Sequence, residues 1–391
     1  MISENKKDKP KIAIFIGTYL PGNKAGGPIR SIESIIKLLG NQYDFYVFCQ
    51  DRDLGDASQY STVAINEWIQ NDLYCVIYLS KDQWTIGNLK NFIQLLAPQI
   101  VYVNSFFSPL YAQKLYILKL CGMIEAKLLI APRGEFSVGA LNLKFMKKYI
   151  YLALYRAIYR PKIVNWHAST LYEKQDVLRV LPSAQHIFIA EDISNIKFID
   201  ANSPKRAYSE QLSISFISRI SPKKNLLFAL ETLLNCKISL IFDVYGPIED
   251  TKYWNNCLQL AKRMPDNVKF SYKGLLSHNE VQDTFSKYDI FLFPTFGENY
   301  GHVIVEALAS GCQIMTSKYT PWNDLQACQA GWNYDLVEEN FLNGLYEYAA
   351  LSKNSREDRR KSAIEYARVK FSESSATGKT IDMFDTIIGR E

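Results

Sequence analysis

Short β-rich runs alternate with helical stretches along the whole chain, and they do so in two rounds. KIAIFIG (11–17), YDFYVFC (43–49), CVIYLS (75–80), QIVYVN (99–104), KLLIAP (127–132) and IVNWHAS (163–169) read as strands of the first round. LSISFIS (212–218), KISLIFDVYG (237–246), NVKFSYKG (267–274), DIFLFPT (289–295) and CQIMTSK (312–318) read as strands of the second. Helical patterns fall between them, for example over Ile29–Leu39 and Leu110–Cys121. A strand that returns to its sheet in parallel needs a crossover, usually a helix, so this alternation predicts parallel sheets covered by helices. Domains usually run about 100 to 200 residues, and a chain of 391 residues is expected to form two α/β domains with a cleft between them.

Residues 190–211 (AEDISNIKFIDANSPKRAYSEQ) are polar, contain Asn-Ser-Pro and show no sustained apolar period. They set the expected division: a first domain over 1–195, a linker over 196–211 and a second domain over 212–372. The final stretch, Ala363–Ile388, is helical in pattern, and a return of residues 373–391 to brace the first domain is an expectation with no sequence rule behind it. Apolar residues make up 48% and charged residues 22%, close to the globular average, which excludes disorder and fibrous architectures. The seven cysteines are odd in number and lack CxxC or CxxH spacing, which suits a reduced cytoplasmic setting better than a disulfide framework or a zinc site. The opening MISENKKDKPK is a charged arm rather than a signal peptide, and no run reaches the roughly 18 to 20 apolar residues of a membrane span. Net charge is +5, and residues 1–200 hold 23 Lys+Arg against 17 Asp+Glu, so the excess belongs to the first half. A nucleic-acid binder would demand a more basic chain and a recognisable reading module.

Three stretches carry chemistry. In FPTFGENYGHVIVEALASG (293–311) a strand ends, a loop carries Glu298 and a helix carries Glu306. The first turn of that helix offers free N–H groups and the positive end of its dipole to the loop, which suits a diphosphate. A carboxylate one turn further in can accept from two vicinal hydroxyls, as on a ribose; the bland alternative is a Glu on a solvated helix face. The small residues Ala307, Ala309, Ser310 and Gly311 suggest close packing where a ligand or a strand approaches. In SRISPKKN (218–225) Arg219 can grip phosphate oxygens bidentately and Lys223 or Lys224 adds a point charge, all at the carboxyl end of a strand where open α/β sheets bind ligands. Taken alone, three cations in six residues also describe a solvated surface. In the third stretch Gly26 and Gly27 precede Pro28 at a helix start, where glycine lets the backbone approach a ligand closely. Gly17 ends the first strand on the same side.

GENYGHVIVEALASG, with Glu298 and Glu306 as an E-x7-E pair, resembles the donor signature of family 4 glycosyltransferases of GT-B fold, and SRISPKKN resembles their phosphate-binding Arg/Lys motif. The resemblance extends along the chain: the Gly26-Gly27 loop, HAST-x-x-E (His167 to Glu173), YGP (245–247) and TPW (320–322) come in the family's order, closest to transferases of bacterial surface-polysaccharide, capsule and O-antigen assembly. It implies two Rossmann-like domains and retention of anomeric configuration by front-face attack. Arg219 and Lys224 would neutralise the donor diphosphate, Glu306 would hold the ribose, and Glu298 with the backbone of Asn299, Tyr300 and Gly301 would face the donor sugar. Gly26 and Gly27 would approach the phosphates from the other domain. No cofactor or metal is implied, since Arg, Lys and a helix N-terminus stabilise the leaving group. The chain departs from the family in two places: PRGEF carries Arg133 where many relatives have a His, and AEDIS (190–194) replaces an Asn-Gly interdomain turn. Arg133 and Glu135, with His167, are expected on the acceptor side.

DRD (Asp51 to Asp53) is formally a metal-binding DxD, discounted because it follows a strand of the acceptor domain. His167 reads either as a base or as a partner of neighbouring loops, and His302 either as a cap of the donor helix or as a contact to the sugar; His186 and His278 have no partner visible in the sequence. Residues 136–162 (FSVGALNLKFMKKYIYLALYRAIYRPK) hold six Lys/Arg and no Asp/Glu among aromatic and aliphatic residues. They read either as a face for anionic membrane, through Lys144, Lys147 and Lys148, or as an ordinary helical surface. The leading expectation is a hexosyltransferase, with UDP-sugars favoured as donor, acting on a lipid-linked glycan at the inner membrane face. The alternative is a GT-B-like phosphorylase or epimerase acting on a soluble sugar.

Overall fold

Strand β1 (Lys11–Ile16) is buried almost throughout, and its alternating side chains enter two different cores. Ala13 and Phe15 lie in one, Ile12, Ile14 and Ile16 in the other, as the two-residue strand period requires. A strand apolar on both faces has to be covered on both faces, which is the situation of a parallel sheet between helices. The structure is a computed structural model that describes residues 9–22, 24, 26–142, 145–192, 196–200, 211–370 and 373–390. It divides into two units, Met1–Ser194 with Glu373–Glu391, and Asn195–Ser372.

The first unit adds β2 (Asp44–Gln50), β3 (Trp68–Gln70), β4 (Tyr74–Leu79), β5 (Ile100–Asn104), β6 (Lys127–Ala131), β7 (Val164–Ala168) and β8 (Ile187–Ile189). The sheet order is β3-β4-β2-β1-β5-β6-β7-β8, parallel except for the antiparallel β3. On one face lie Leu89 and Ile93 of helix Ile86–Leu96, Leu115 of helix Ala112–Leu120, and Leu152 and Tyr155 of helix Phe145–Ile158. Lys148 of that last helix turns inward: its ammonium donates to the Ala140 carbonyl at 2.6 Å and lies 5.1 Å over the Phe107 ring. It therefore does not serve the outer surface as its position in the basic segment suggested, and Lys144 lies outside the described residues.

The other face is covered by helix Gly27–Leu39 and by the C-terminal helix Glu373–Ile388, whose Met383, Phe384 and Ile387 join the same core. Phe384 packs edge-on against Tyr43 and Tyr102 at 5.4 and 5.9 Å. Tyr43 donates to Asp385 at 2.8 Å, and Lys379 pairs with Glu191 at 2.6 Å.

The second unit holds β9 (Leu212–Ile217), β10 (Leu240–Tyr245), β11 (Val268–Gly274), β12 (Ile290–Phe293), β13 (Gln313–Ser317) and β14 (Gly331–Tyr334), all parallel in the order β11-β10-β9-β12-β13-β14. Residues 196–200, expected as linker, already pack here: Ile196 and Phe198 rest on the second core, and the Ile199 amide donates to the Ala309 carbonyl at 3.2 Å. Residues 201–210 of the expected linker lie outside the described residues. All seven cysteines are free thiols.

Phe384 is fully buried, and removing its ring leaves a cavity that the surrounding aromatics cannot close. Phe384→Ala should lower the stability of the first unit by about 3–5 kcal/mol, read as a fall in the urea midpoint followed by near-ultraviolet circular dichroism.

Candidate functional site

In the second sheet β10 and β11 lie on one side of β9, and β12 to β14 lie on the other. Connections leave β9 and β12 in opposite directions, so a crevice opens at their carboxyl ends, the place where sheets of this kind take ligands. Arg219 and Lys224 follow β9; Glu298, Asn299, Tyr300 and Gly301 follow β12.

The β9 loop makes a turn of 3-10 helix over Pro222–Lys224 and then places Asn225 in the left-handed region at φ 59°, where Asn is among the few tolerated residues. Its side-chain amide donates to the Pro294 carbonyl at 2.9 Å. The Phe296 amide and the Thr295 hydroxyl donate to the Lys223 carbonyl at 2.9 and 3.1 Å. These bonds lock the two loops together and bring the Lys224 ammonium onto the Glu298 carboxylate as a largely buried ion pair. Burial alone would raise the Glu298 carboxyl, but Lys224, Lys223 and, more weakly, Arg219 outweigh it and hold it below the ordinary glutamate range. Glu298 is therefore a carboxylate that can only accept hydrogen bonds, beside a surplus of cations.

Arg219 is half-exposed, and its guanidinium donates to Glu249 at 3.0 Å. The YGP turn packs beside it. Gly246 has φ 129°, and a Cβ there would sit 1.9 Å from the Ser218 carbonyl oxygen, so glycine is required by the close approach of the two loops. The Ile220 amide donates to the Pro247 carbonyl at 2.8 Å. Across the crevice, helix His302–Ala309 starts at Gly301, in the left-handed region at φ 82°, with no side chain capping its first turn. A Cβ on Gly301 would come within 3.0 Å of Glu298 Cγ. TPW holds this loop: Trp322 Nε1 donates to the Tyr300 carbonyl at 2.8 Å. The Tyr300 ring meets His302 at 5.1 Å.

Glu306 is buried, which removes the solvated-helix reading. Among the small residues after it, Gly311 makes room for a helix, because a Cβ there would lie 2.6 Å from Arg360 Cγ of helix Lys353–Lys370. Glu249, Asn225, Gly246 and Trp322 were not singled out as site residues from sequence; YGP and TPW flagged two of them, and Asn after a Pro-Lys-Lys turn is a left-handed signal.

In the first unit Gly26 is the residue preceding helix Gly27–Leu39, with φ 70° and ψ −123°, and open space where a Cβ would stand. Arg133 and His167, expected on the acceptor side, are turned into the protein instead. Arg133 sits at φ 53°. Its Nε donates to Asn104 Oδ1 at 3.0 Å, Nη2 to Tyr102 and Asn104 at 2.8 and 2.9 Å, and Nη1 to Asp192. His167 Nε2 lies 2.8 Å from the Ala190 carbonyl and Nδ1 lies 2.5 Å from the Tyr102 hydroxyl. A carbonyl only accepts, so Nε2 carries the proton and Nδ1 accepts from Tyr102. With both nitrogens spent, His167 is a support for the chain at Ala190 rather than a base.

Glu135 is also engaged, accepting from the Ser105 hydroxyl at 2.7 Å and the Phe106 and Phe107 amides at 2.6 and 3.1 Å. Burial nonetheless holds its carboxyl above the ordinary range. Glu173 of HAST-x-x-E accepts from the Gly134 and Ser169 amides at 2.7 and 2.8 Å, tying β6 to β7. In DRD, Asp51 accepts from Arg52 at 2.8 Å and Gln59 at 2.6 Å, while Asp53 accepts from the Leu54 amide at 2.7 Å. Asp53 also accepts from the Lys24 amide at 3.3 Å, so these carboxylates order loops, and among the described residues no group of three or more His, Cys, Asp or Glu is placed to hold a metal.

Residues 199–367 match the family model described as Glycosyl transferases group 1, a span that takes in most of the second unit. Among curated proteins no sequence match was found. Solved structures resemble the chain over nearly its full length. HepE of Anabaena, in complex with UDP-glucose, is 13% identical with a TM-score of 0.70, covering 96% of this chain and 100% of its own. Sucrose-phosphate synthase of Thermosynechococcus elongatus is 13% identical with a TM-score of 0.73, covering 97% and 100%. WaaG, a glycosyltransferase involved in lipopolysaccharide biosynthesis, is 15% identical with a TM-score of 0.68, covering 97% and 100%. The fold is GT-B, two Rossmann-like domains, and the second unit is similar to the group 1 glycosyl transferases over the matched residues.

Burial, and then the Arg133 charge, push the His167 imidazole down to about 4 from 6.5. The unfolded chain binds the extra proton between those values, so stability contributed by neutral His167 is complete above pH 6.5 and falls as pH drops towards 4. The loss approaches about 3 kcal/mol. Urea midpoints taken from pH 7 to pH 4.5 should fall less steeply in His167→Gln than in the wild type.

Proposed function

We propose that the protein is a retaining glycosyltransferase that moves a hexose or N-acetylhexosamine from a UDP-sugar to a lipid-linked glycan in bacterial surface-polysaccharide assembly. The observation that carries this reading is the Lys224–Glu298 pair at the carboxyl ends of β9 and β12, next to a helix that begins at an uncapped glycine.

The chemistry follows from the charges. A departing nucleoside diphosphate gains negative charge as the glycosidic bond breaks, and cations already in place stabilise that change without reorganising. Lys224 and Arg219 supply them, and the first turn of helix His302–Ala309 adds N–H groups and dipole. Glu298, held ionised, accepts from hydroxyls of the donor sugar together with the backbone of Asn299, Tyr300 and Gly301. Its carboxylate would repel a diphosphate if it were not already neutralised by Lys224. Glu306, one turn into the helix, accepts from the ribose. In this reading the cations and the helix terminus take the place of a divalent ion. A UDP-sugar is favoured by the likeness to HepE, solved with UDP-glucose, and a glycolipid pathway by the likeness to WaaG.

Glu306→Ala should weaken UDP binding by about 1.5–3 kcal/mol, roughly 10- to 150-fold, because the ribose loses a charged acceptor; titration calorimetry with UDP measures it, and unchanged affinity would sink the ribose assignment. Lys224→Ala should lower kcat by two orders of magnitude or more on the scale of lost transition-state donors. It should also move the acid limb of the pH profile upward, since burial then acts on Glu298 with less charge to oppose it. Full activity in EDTA is expected with the donor found by screening UDP-, GDP- and ADP-sugars, and a strict need for Mg2+ or Mn2+ would overturn the cation assignment.

A further inference from the structure

Helix Phe145–Ile158 carries apolar side chains on two opposite sides, yet only one of them is covered. Leu152 and Tyr155 enter the core of the first unit. On the opposite side Met146, Tyr149, Ile150 and Leu154 are 67%, 57%, 56% and 65% exposed, with Ala153 and Ala157 exposed between them. At 3.6 residues per turn these six positions fall on one stripe, and none of them is charged. A soluble helix puts polar side chains there, and an apolar stripe of this size left exposed marks a face for a partner or for lipid.

The borders of the stripe are cationic. The same helical spacing places Lys147 along one edge and Arg156 along the other, both exposed, and Arg160 and Lys162 follow the helix end, also exposed. Residues 136–162 contain no Asp or Glu, so no carboxylate of this segment opposes an anionic partner. Among the described residues no helix is long and apolar enough to cross a membrane, and at 14 residues this one would lie in a surface.

We infer that the outer face of helix Phe145–Ile158 docks on an anionic lipid surface, with Met146, Ile150 and Leu154 entering the acyl boundary and Lys147 reaching the headgroups, while Arg156, whose guanidinium donates to the Val180 carbonyl at 2.9 and 2.7 Å, adds its charge from the border of the stripe. Long basic side chains at the borders of an apolar stripe can keep their charge in the headgroup layer while their stems stay in hydrocarbon. The apolar stripe, rather than a lysine cluster, is the main determinant, because Lys148 is spent on Ala140 and Phe107. Its purpose rests on the lipid-linked acceptor proposed above, but its existence does not.

The test is flotation of the full chain with vesicles of phosphatidylcholine containing phosphatidylglycerol, against phosphatidylcholine alone, with neither donor nor acceptor present. Wild type should bind the anionic vesicles, less so as salt is raised. The double variant Ile150→Asp, Leu154→Asp should bind at least about tenfold more weakly, and Lys147→Glu should bind severalfold more weakly. UDP affinity, unchanged in each variant, shows that the chain is folded. Absence of wild-type binding, or equal binding by the double variant, overturns the inference while leaving sugar transfer untouched. A dimer in sedimentation that the double variant abolishes overturns it too, by giving the stripe to a second copy of the chain. Loss of UDP binding by the wild type would instead strike the proposed function alone.

Discussion

A parallel strand buried on both faces takes a charged group easily only at its ends, and one placed further in, as Asp243 is in β10, needs partners such as the Tyr288 hydroxyl at 2.7 Å. β5 is buried along its whole length, and β9 and β12 nearly so. Most residues between the ends of such strands are committed to one of two apolar layers, and the helices that form those layers also serve as the crossovers. Chemistry is thereby confined to the loops, and among the loops to those where the chain reverses its direction across the sheet. Lys224 and Glu298 stand where that confinement leaves them.

The same constraint explains what could be read from the sequence. Each of the eleven β-rich runs coincides with a strand, most of them because burial on both faces writes an apolar run into the chain; the edge strand β11, half-buried or exposed at all but one position, is marked by alternation instead. The strands not foreseen are β3, β8 and β14, all at sheet edges and each of three or four residues. An edge strand pairs on one side only, and β3 and β8 are not fully buried at any position, so no continuous apolar run marks them. The loops after β9 and β12 were legible for a related reason: charges directly after a buried run stand out. Arg133 was not legible in its present role, and for His167 the support of a neighbouring loop was one of two readings the sequence left open. Tyr102 and His167 are 65 residues apart, and Arg133 and Asp192 are 59 apart. Whether a polar side chain faces substrate or supports a loop is decided by partners that the local sequence does not contain. The packing of Gly311 against Arg360 is equally non-local.

Around Glu298 the balance of opposing effects is close. Removing a carboxylate from water is costly, and the pair it forms repays that only when geometry and further hydrogen bonds are good. Here the bonds from Asn225 to Pro294 and from the Phe296 amide to Lys223 fix the loops first, so Lys224 meets Glu298 without ordering the backbone anew. The pair is a poor source of stability and a good way to keep two opposite charges in a crevice.

The C-terminal helix Glu373–Ile388 belongs to the first unit although the whole of the second unit precedes it in the chain. On the ribosome, the sheet from β1 to β8 emerges with one of its faces only partly covered, and it has to wait for about 190 further residues before Met383 and Phe384 arrive to close it. During that interval Tyr43 and Tyr102 lack the ring that packs between them in the finished protein. The second unit, contiguous in sequence, has no such wait. Translation therefore delivers a completed second unit before the first can finish, and a chain cut short anywhere in residues 195–372 is left with an uncovered apolar face that marks it as incomplete.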